Sequence, residues 1–260
     1  MMDSYSGSLF YFGGKILLGT RGLETDFHAH FAVSILISVS EPFCIQTGED
    51  EKTYYQAAFL APNFHHMLLA EKSDMIVLQF DPYSKYYASL LTRFGRKGIK
   101  EIPFHEIQGF TKDCQDLLEA KLDCIRARLL FESILGALGT PKPPAKLLDP
   151  RIAGLVEKMK ISLSEDLSVP ILASELGFSE SRFMHLFKEE IGIPFRQYLL
   201  WMKLHEAAKI LQGGGNLTDA SHAAGFSDQS HLSRTFKRMF GVPPSKFLGA
   251  NHKVKLFFCN

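Results

Sequence analysis

An α+β chain of two domains is predicted: an N-terminal β-barrel with attached helices, then an all-α domain carrying a doubled helix-turn-helix. Three observations predict it. From about residue 8 to 81 the chain breaks into short β-rich runs separated by turn signals at roughly ten-residue spacing. Beyond residue 83 the apolar residues recur at helical spacing. The stretch Gly177–Lys188 then returns as Gly225–Lys237, with Phe183 matching Leu232, Phe187 matching Phe236, Gly192 matching Gly241 and Pro194 matching Pro243. Such a repeat is one supersecondary unit used twice.

In order along the chain, strands are expected over Phe31–Val39, Phe43–Gln46, Tyr54–Leu60, Phe64–Ala70 and Met75–Phe80. Glu41-Pro42, Gly48-Glu49-Asp50, Ala61-Pro62-Asn63 and Lys72-Ser73-Asp74 are read as turns. Short strands at this spacing suit a small barrel or double-sheet roll. His28 and His30 alternate, so their imidazoles share one face of an extended segment, and His65-His66 follows Ala61-Pro62. His28, His30 and His66 are candidates for lining a ligand pocket or making structural hydrogen bonds, against holding a divalent metal.

Helices follow at Tyr83–Phe94 and Lys112–Leu138. The second has more apolar surface than packing on a small barrel needs, which points to a homodimer through 112–138. Residues 1–140 form the first expected domain, 141–149 a proline-rich spacer, and 150–260 the second, opened by a helix over Asp149–Ile161.

Within each repeat a short helix ends at a glycine, Gly177 or Gly225, which suits a left-handed cap. Pro170 fits the first turn in one copy, and Thr218 or Asp219 caps the helix in the other. A second helix begins at Ser179, or at Ser227 or Asp228. Its inner positions are apolar: Phe183, Leu186, Phe187 and Ile191, then Leu232, Phe236 and Phe240. Its outer positions are polar or cationic, the types that reach base edges and phosphates. Between the copies, Tyr198, Trp201, Leu204, Ala208 and Leu211 make one stripe, so Phe195–Gln212 is a single helix, ended by Gly213-Gly214-Gly215. Its length of about 25 Å, with the flanking turns, suits recognition helices about one turn of B-DNA apart.

On these residues, together with Lys237-Arg238, Pro243-Pro244 and Phe247, the stretch from about 151 to 248 resembles the DNA-binding domain of the AraC/XylS family of transcription regulators. The resemblance implies two recognition helices in successive major grooves. It implies base contacts from Ser181, Arg182 and His185 in the first, and from Gln229, Ser230, His231 and Arg234 in the second; Lys188, Lys237 and Arg238 would hold phosphates. His185 stands where arginine is common in the family, as does Lys203 in the connecting helix. The N-terminal half is similar to the cupin-like sensor domain that family members carry. Metal-binding cupins add a glutamate soon after H-x-H; here positions 31–40 hold no acid, and Glu41 comes late.

Charge is split. Residues 1–150 hold 15 Lys+Arg against 18 Asp+Glu, and the remaining residues 14 against 10. A net of +4 on the repeat-bearing half is a modest electrostatic footprint, so one copy should bind DNA weakly without a dimer or an effector. Cys44, Cys114, Cys124 and Cys259 form no C-x-x-C, which argues against a zinc finger and for reduced thiols in the cytoplasm. No secretory signal or membrane span is expected. The expected function is an effector-responsive, DNA-binding transcription regulator, not an enzyme, with double-stranded DNA, a small-molecule effector and, for an activator, RNA polymerase as partners. No cofactor is expected beyond the candidate metal. The alternative is a metal-dependent cupin enzyme or metal sensor with a helical DNA-binding module.

Overall fold

In the computed structural model the described residues are 7–12, 14–30, 32–80, 86–139, 148–161, 163, 167–245 and 254–259. The chain divides into two compact units, Met1–Lys142 with Phe236–Asn260, and Pro143–Thr235.

The first unit contains a nine-stranded sheet: β1 (Gly7–Tyr11), β2 (Lys15–Glu24), β3 (Val33–Ser38), β4 (Phe43–Gln46), β5 (Lys52–Tyr55), β6 (Ala57–Leu60), β7 (Met67–Phe80), β8 (Ile99–Glu101) and β9 (Val254–Phe258). The order is β8-β6-β3-β7-β2-β1-β9, with β4 joined to β5 and β7. The expected turn at Lys72-Ser73-Asp74 is absent: β7 runs unbroken through it and changes partner, pairing with β4 over 67–69 and with β3 over 75–80. Along its other edge lies β2, whose bulge at Gly22 follows the bend. Gly22 sits at φ +73, and a Cβ there would meet the Glu71 carbonyl oxygen at 2.7 Å.

Both faces of the sheet are buried. Ile35, Ile37, Ile76, Leu78 and Phe80 pack on one side with α1 (Tyr87–Phe94), α2 (Thr111–Leu118) and α3 (Cys124–Leu138). Leu36, Met75 and Val77 face the opposite side with Phe43, Ile45 and Leu68. All six residues of β3 are buried, Ser34 and Ser38 among them, so the strand shows no alternation of exposed and buried positions. The predicted 112–138 helix is two helices, parted near Ala120, which takes φ +53. Residues 83–85, residue 140 and most of the expected spacer, 141–147, lie outside the described residues.

The expected 150–260 domain runs past the helical part. Strand β9 pairs parallel with β1, Gly7 opposite Val254 through Tyr11 opposite Phe258. That pairing carries Cys259 to the start of α3, where it is disulfide-bonded to Cys124. The expectation of reduced thiols therefore fails for this pair, because spacing gives no hint of a partner 135 residues away. Cys44 and Cys114 are free and buried, and burial pushes the Cys114 thiol up to about 12, which leaves it unreactive.

The second unit holds α4 (Pro150–Ile161), α5 (Val169–Glu175), α6 (Glu180–Ile191), α7 (Phe195–Gln212), α8 (Leu217–Ala223) and the start of α9 (Gln229–Phe240). Phe183, Phe187, Phe195 and Tyr198 form an aromatic cluster with ring centroids 5.1–6.0 Å apart. On α7 the buried stripe is Tyr198, Trp201, Leu204 and Ala207, with His205 beside it; Ala208 and Leu211 are only half-buried. Among the described residues no helix is long and apolar enough to cross a membrane.

Candidate nucleic-acid interface and buried histidine cluster

Helices α6 and α9 start on side-chain caps. The Ser179 hydroxyl accepts the Arg182 amide at 3.3 Å, and the Asp228 carboxylate accepts the His231 amide at 2.7 Å. Each cap satisfies an amide that the first turn would leave unpaired and fixes where the outward face begins. Gly177 and Gly225, at φ +70 and +73, make the preceding turns. Asn216, not Thr218 or Asp219, caps α8: its side chain accepts the Asp219 amide at 2.9 Å.

With Phe183, Leu186, Phe187 and Ile191 turned inward, Ser181, Arg182, His185 and Lys188 are exposed on α6. On α9, Gln229, Ser230, Arg234, Lys237 and Arg238 are exposed. Near the end of α6, Glu190 accepts the Asp149 amide just before α4 at 3.1 Å.

Three predicted contacts have partners within the protein. His231 is half-buried, edge-on to Phe226 at 5.2 Å and 3.2 Å from the Ser227 hydroxyl. The Gln229 carboxamide oxygen accepts from Thr218 at 3.3 Å. Lys237 is ion-paired with Asp26. A residue not predicted to act, Lys203, donates from α7 to the Gly225 carbonyl, and its half-buried ammonium is held below the usual lysine range by desolvation. It ties the connecting helix to the second turn, a positioning role that arginine's fork would fill differently.

Helix α9 does not stay with the helical unit. From Phe236 onward it belongs to the sheet unit, where Phe236, Phe240 and Val242 pack in the Leu36–Phe43–Val77 cluster. The expectation that Phe236 and Phe240 face the helical core is thereby corrected; an apolar face two turns long does not name the surface it covers.

In the sheet unit, His28, His30 and His66 are buried together. One ring nitrogen of each lies within 4.8 Å of the other two. His28 and His66 form an antiparallel bridge, each amide donating to the other's carbonyl at 3.0 Å. Nδ1 lies 2.9 Å from a carbonyl oxygen in all three: Asp26 for His28, Ala32 for His30 and Phe64 for His66. A carbonyl only accepts, so Nδ1 carries the proton and Nε2 the lone pair. Burial lowers the His28 imidazole; burial and then the neighbouring rings put His30 well below the usual range and His66 at about 4. His65, adjacent in sequence, is exposed.

A helix-turn-helix domain model matches residues 172–250. The multiple antibiotic resistance protein MarA of Escherichia coli is 30% identical over 101 residues, 38% of this chain and 80% of MarA. The chain belongs to the AraC/XylS family of transcription regulators. Another member of similar sequence, the probable transcriptional regulator LumQ of Photobacterium leiognathi, is 34% identical over 86 residues; the match spans 33% of this chain and about a third, 35%, of LumQ. Over 90% of the chain the fold is similar to that of ToxT from Vibrio cholerae O395, at a TM-score of 0.55 and 13% identity, covering 96% of ToxT. ToxT with an unsaturated fatty acid bound superposes at 0.52 and 15% identity, covering 90% and 93%. As an AraC-family chain with this sheet-plus-helix fold, the protein is a DNA-binding transcription regulator.

Proposed function

We propose that the regulator inserts α6 and α9 into two adjacent major grooves and that the sheet unit receives an effector. The observation that carries the first part is the exposure of equivalent positions on α6 and α9, Ser181 with Ser230 and His185 with Arg234, while His231, the counterpart of exposed Arg182, is half-buried. A constant offset of 49 residues relates Ser181 to Ser230, Arg182 to His231 and His185 to Arg234. The inward positions of α6 are all apolar, and those of α9 are apolar apart from buried Thr235. Lys188, Lys237 and Arg238 supply phosphate contacts, which position without specifying. The effector reading is supported by the buried histidines, which are polar groups gathered where a plain core would be apolar.

A homodimer through α3 is supported by Ile125 and Leu129, 72% and 62% exposed on consecutive turns of its outer face. The regulator works in the cytoplasm and, as an activator, also meets RNA polymerase. No catalytic step is assigned to it. The test is selection of bound duplexes from a random pool with the purified full chain. Two conserved blocks about one helical turn apart are expected. A single block, or no enrichment, overturns the two-groove reading.

A further inference from the structure

We propose that His28, His30 and His66 form a site for one divalent transition-metal ion, with a fourth position open to water or an exogenous ligand, and that occupancy is relayed to the last turn of α9. The relay rests on the reading of α9 as a recognition helix; the metal site does not.

The donor set has the chemistry that a borderline ion such as Zn2+ selects: three neutral imidazoles, each with Nδ1–H held by a backbone carbonyl. That outer hydrogen bond is the usual orienting device of metal-ligating histidine. It fixes ring and tautomer and leaves Nε2 as the coordinating atom. Nitrogens within 4.8 Å must close to about 3.4 Å to share an ion at about 2.0–2.1 Å. For His30 the Ser34 hydroxyl, 3.2 Å from Nε2, would turn aside. Three protein ligands with no carboxylate among them leave one tetrahedral position unfilled, and a sensor could admit a second ligand there.

The connection to α9 is made of short bonds inside the sheet unit. His28 Nδ1–H donates to the Asp26 carbonyl, the Asp26 amide donates to the Gly241 carbonyl at 2.7 Å, and the Asp26 carboxylate pairs with Lys237. Gly241 caps the end of α9 at φ +70, and a Cβ there would stand 2.5 Å from the Thr25 side chain and 2.6 Å from His28 Nδ1. A His28 ring pulled onto an ion shifts the segment against which the helix end rests. It also orders Asp26, the partner that competes with phosphate for Lys237.

The test uses the full chain stripped by chelation. Calorimetric titration with ZnCl2 alone should give one equivalent per chain. His30→Ala and His66→Ala should each weaken binding by about 100-fold or more, and His65→Ala should leave it unchanged. Co2+ on the unaltered chain, which needs no folded variant, should give visible d–d bands without thiolate charge transfer. No stoichiometric binding, binding that survives both substitutions, or a thiolate band overturns the site. Hydrogen exchange should slow on Zn2+ addition across residues 25–30 and 236–242. Stoichiometric binding with exchange at 236–242 unaltered overturns the relay and leaves the site standing. Since neither readout contains DNA, failure of the operator selection is distinguishable from failure here.

Discussion

On the proposed two-groove reading, Arg234 reads bases and Lys188 holds a phosphate. Arg234 is exposed in the middle of α9, within reach of base edges once the helix enters a groove. Arg234→Ala is expected to cost about 1–3 kcal/mol, roughly 5- to 150-fold, and to relax preference at one base pair in a gel-shift titration against the selected site. Undiminished specific binding would remove α9 from the groove. Lys188→Ala should weaken all duplexes alike and flatten the log–log salt slope by about 0.9. Lys237 looked equivalent to Lys188 by the repeat, yet it pairs with Asp26. The register of two helices is written in sequence, whereas the ion partner of a surface cation comes from a segment some two hundred residues away.

Helix boundaries were the most legible elements because their signals are local. Capping side chains and glycines at positive φ mark α6 and α9, and α7 spans the expected Phe195–Gln212. Strand β7 was not legible, because its polar triplet lies where the strand passes from β4 to β3, with only Asp74 paired, to Arg21 of β2, and the strands flanking the triplet, not its residues, carry the strand through. The connecting helix also hides His205, stacked edge-on against Trp201 at 4.4 Å and pushed by burial, then by Lys209, down to about 3. Folded, this ring stays neutral to that pH; unfolded, it takes a proton near 6.5. The unfolded state therefore binds the extra proton, and the stability contributed is full above about 6.5 and lost as pH falls toward 3, at about 1.4 kcal/mol per pH unit. Urea midpoints between pH 7 and 4 should fall less steeply in His205→Gln than in the parent. Parallel slopes would mean the ring titrates normally.

At the scale of the molecule, two features join distant parts of the sequence. The Cys124–Cys259 bridge closes a loop of 135 residues and anchors the last strand to α3. Cys259→Ser should lower unfolding free energy by about 2–4 kcal/mol in equilibrium denaturation, and dithiothreitol should mimic it; an unchanged midpoint would show that the bridge adds nothing. The second feature is the outer face of α3. Leu129→Glu, which adds a charge to an exposed position and leaves the inward Leu130 and Phe131 alone, should yield monomer in ultracentrifugation with little change in melting temperature. A variant as dimeric as the parent would move the interface elsewhere.

The sequence by itself determined the doubled helix-turn-helix, the helix that joins its copies, the family, and the shared face of His28 and His30, since all of these rest on periodicity, capping and spacing within a few turns of chain. Only the tertiary structure decided that β9 returns to β1, that Cys259 meets Cys124, that the end of α9 packs with the sheet, and that Asp26 lies between His28 and Lys237. Those depend on which strands pair and which surfaces meet, and hydrophobic burial is indifferent to how far apart in the chain the meeting residues stand.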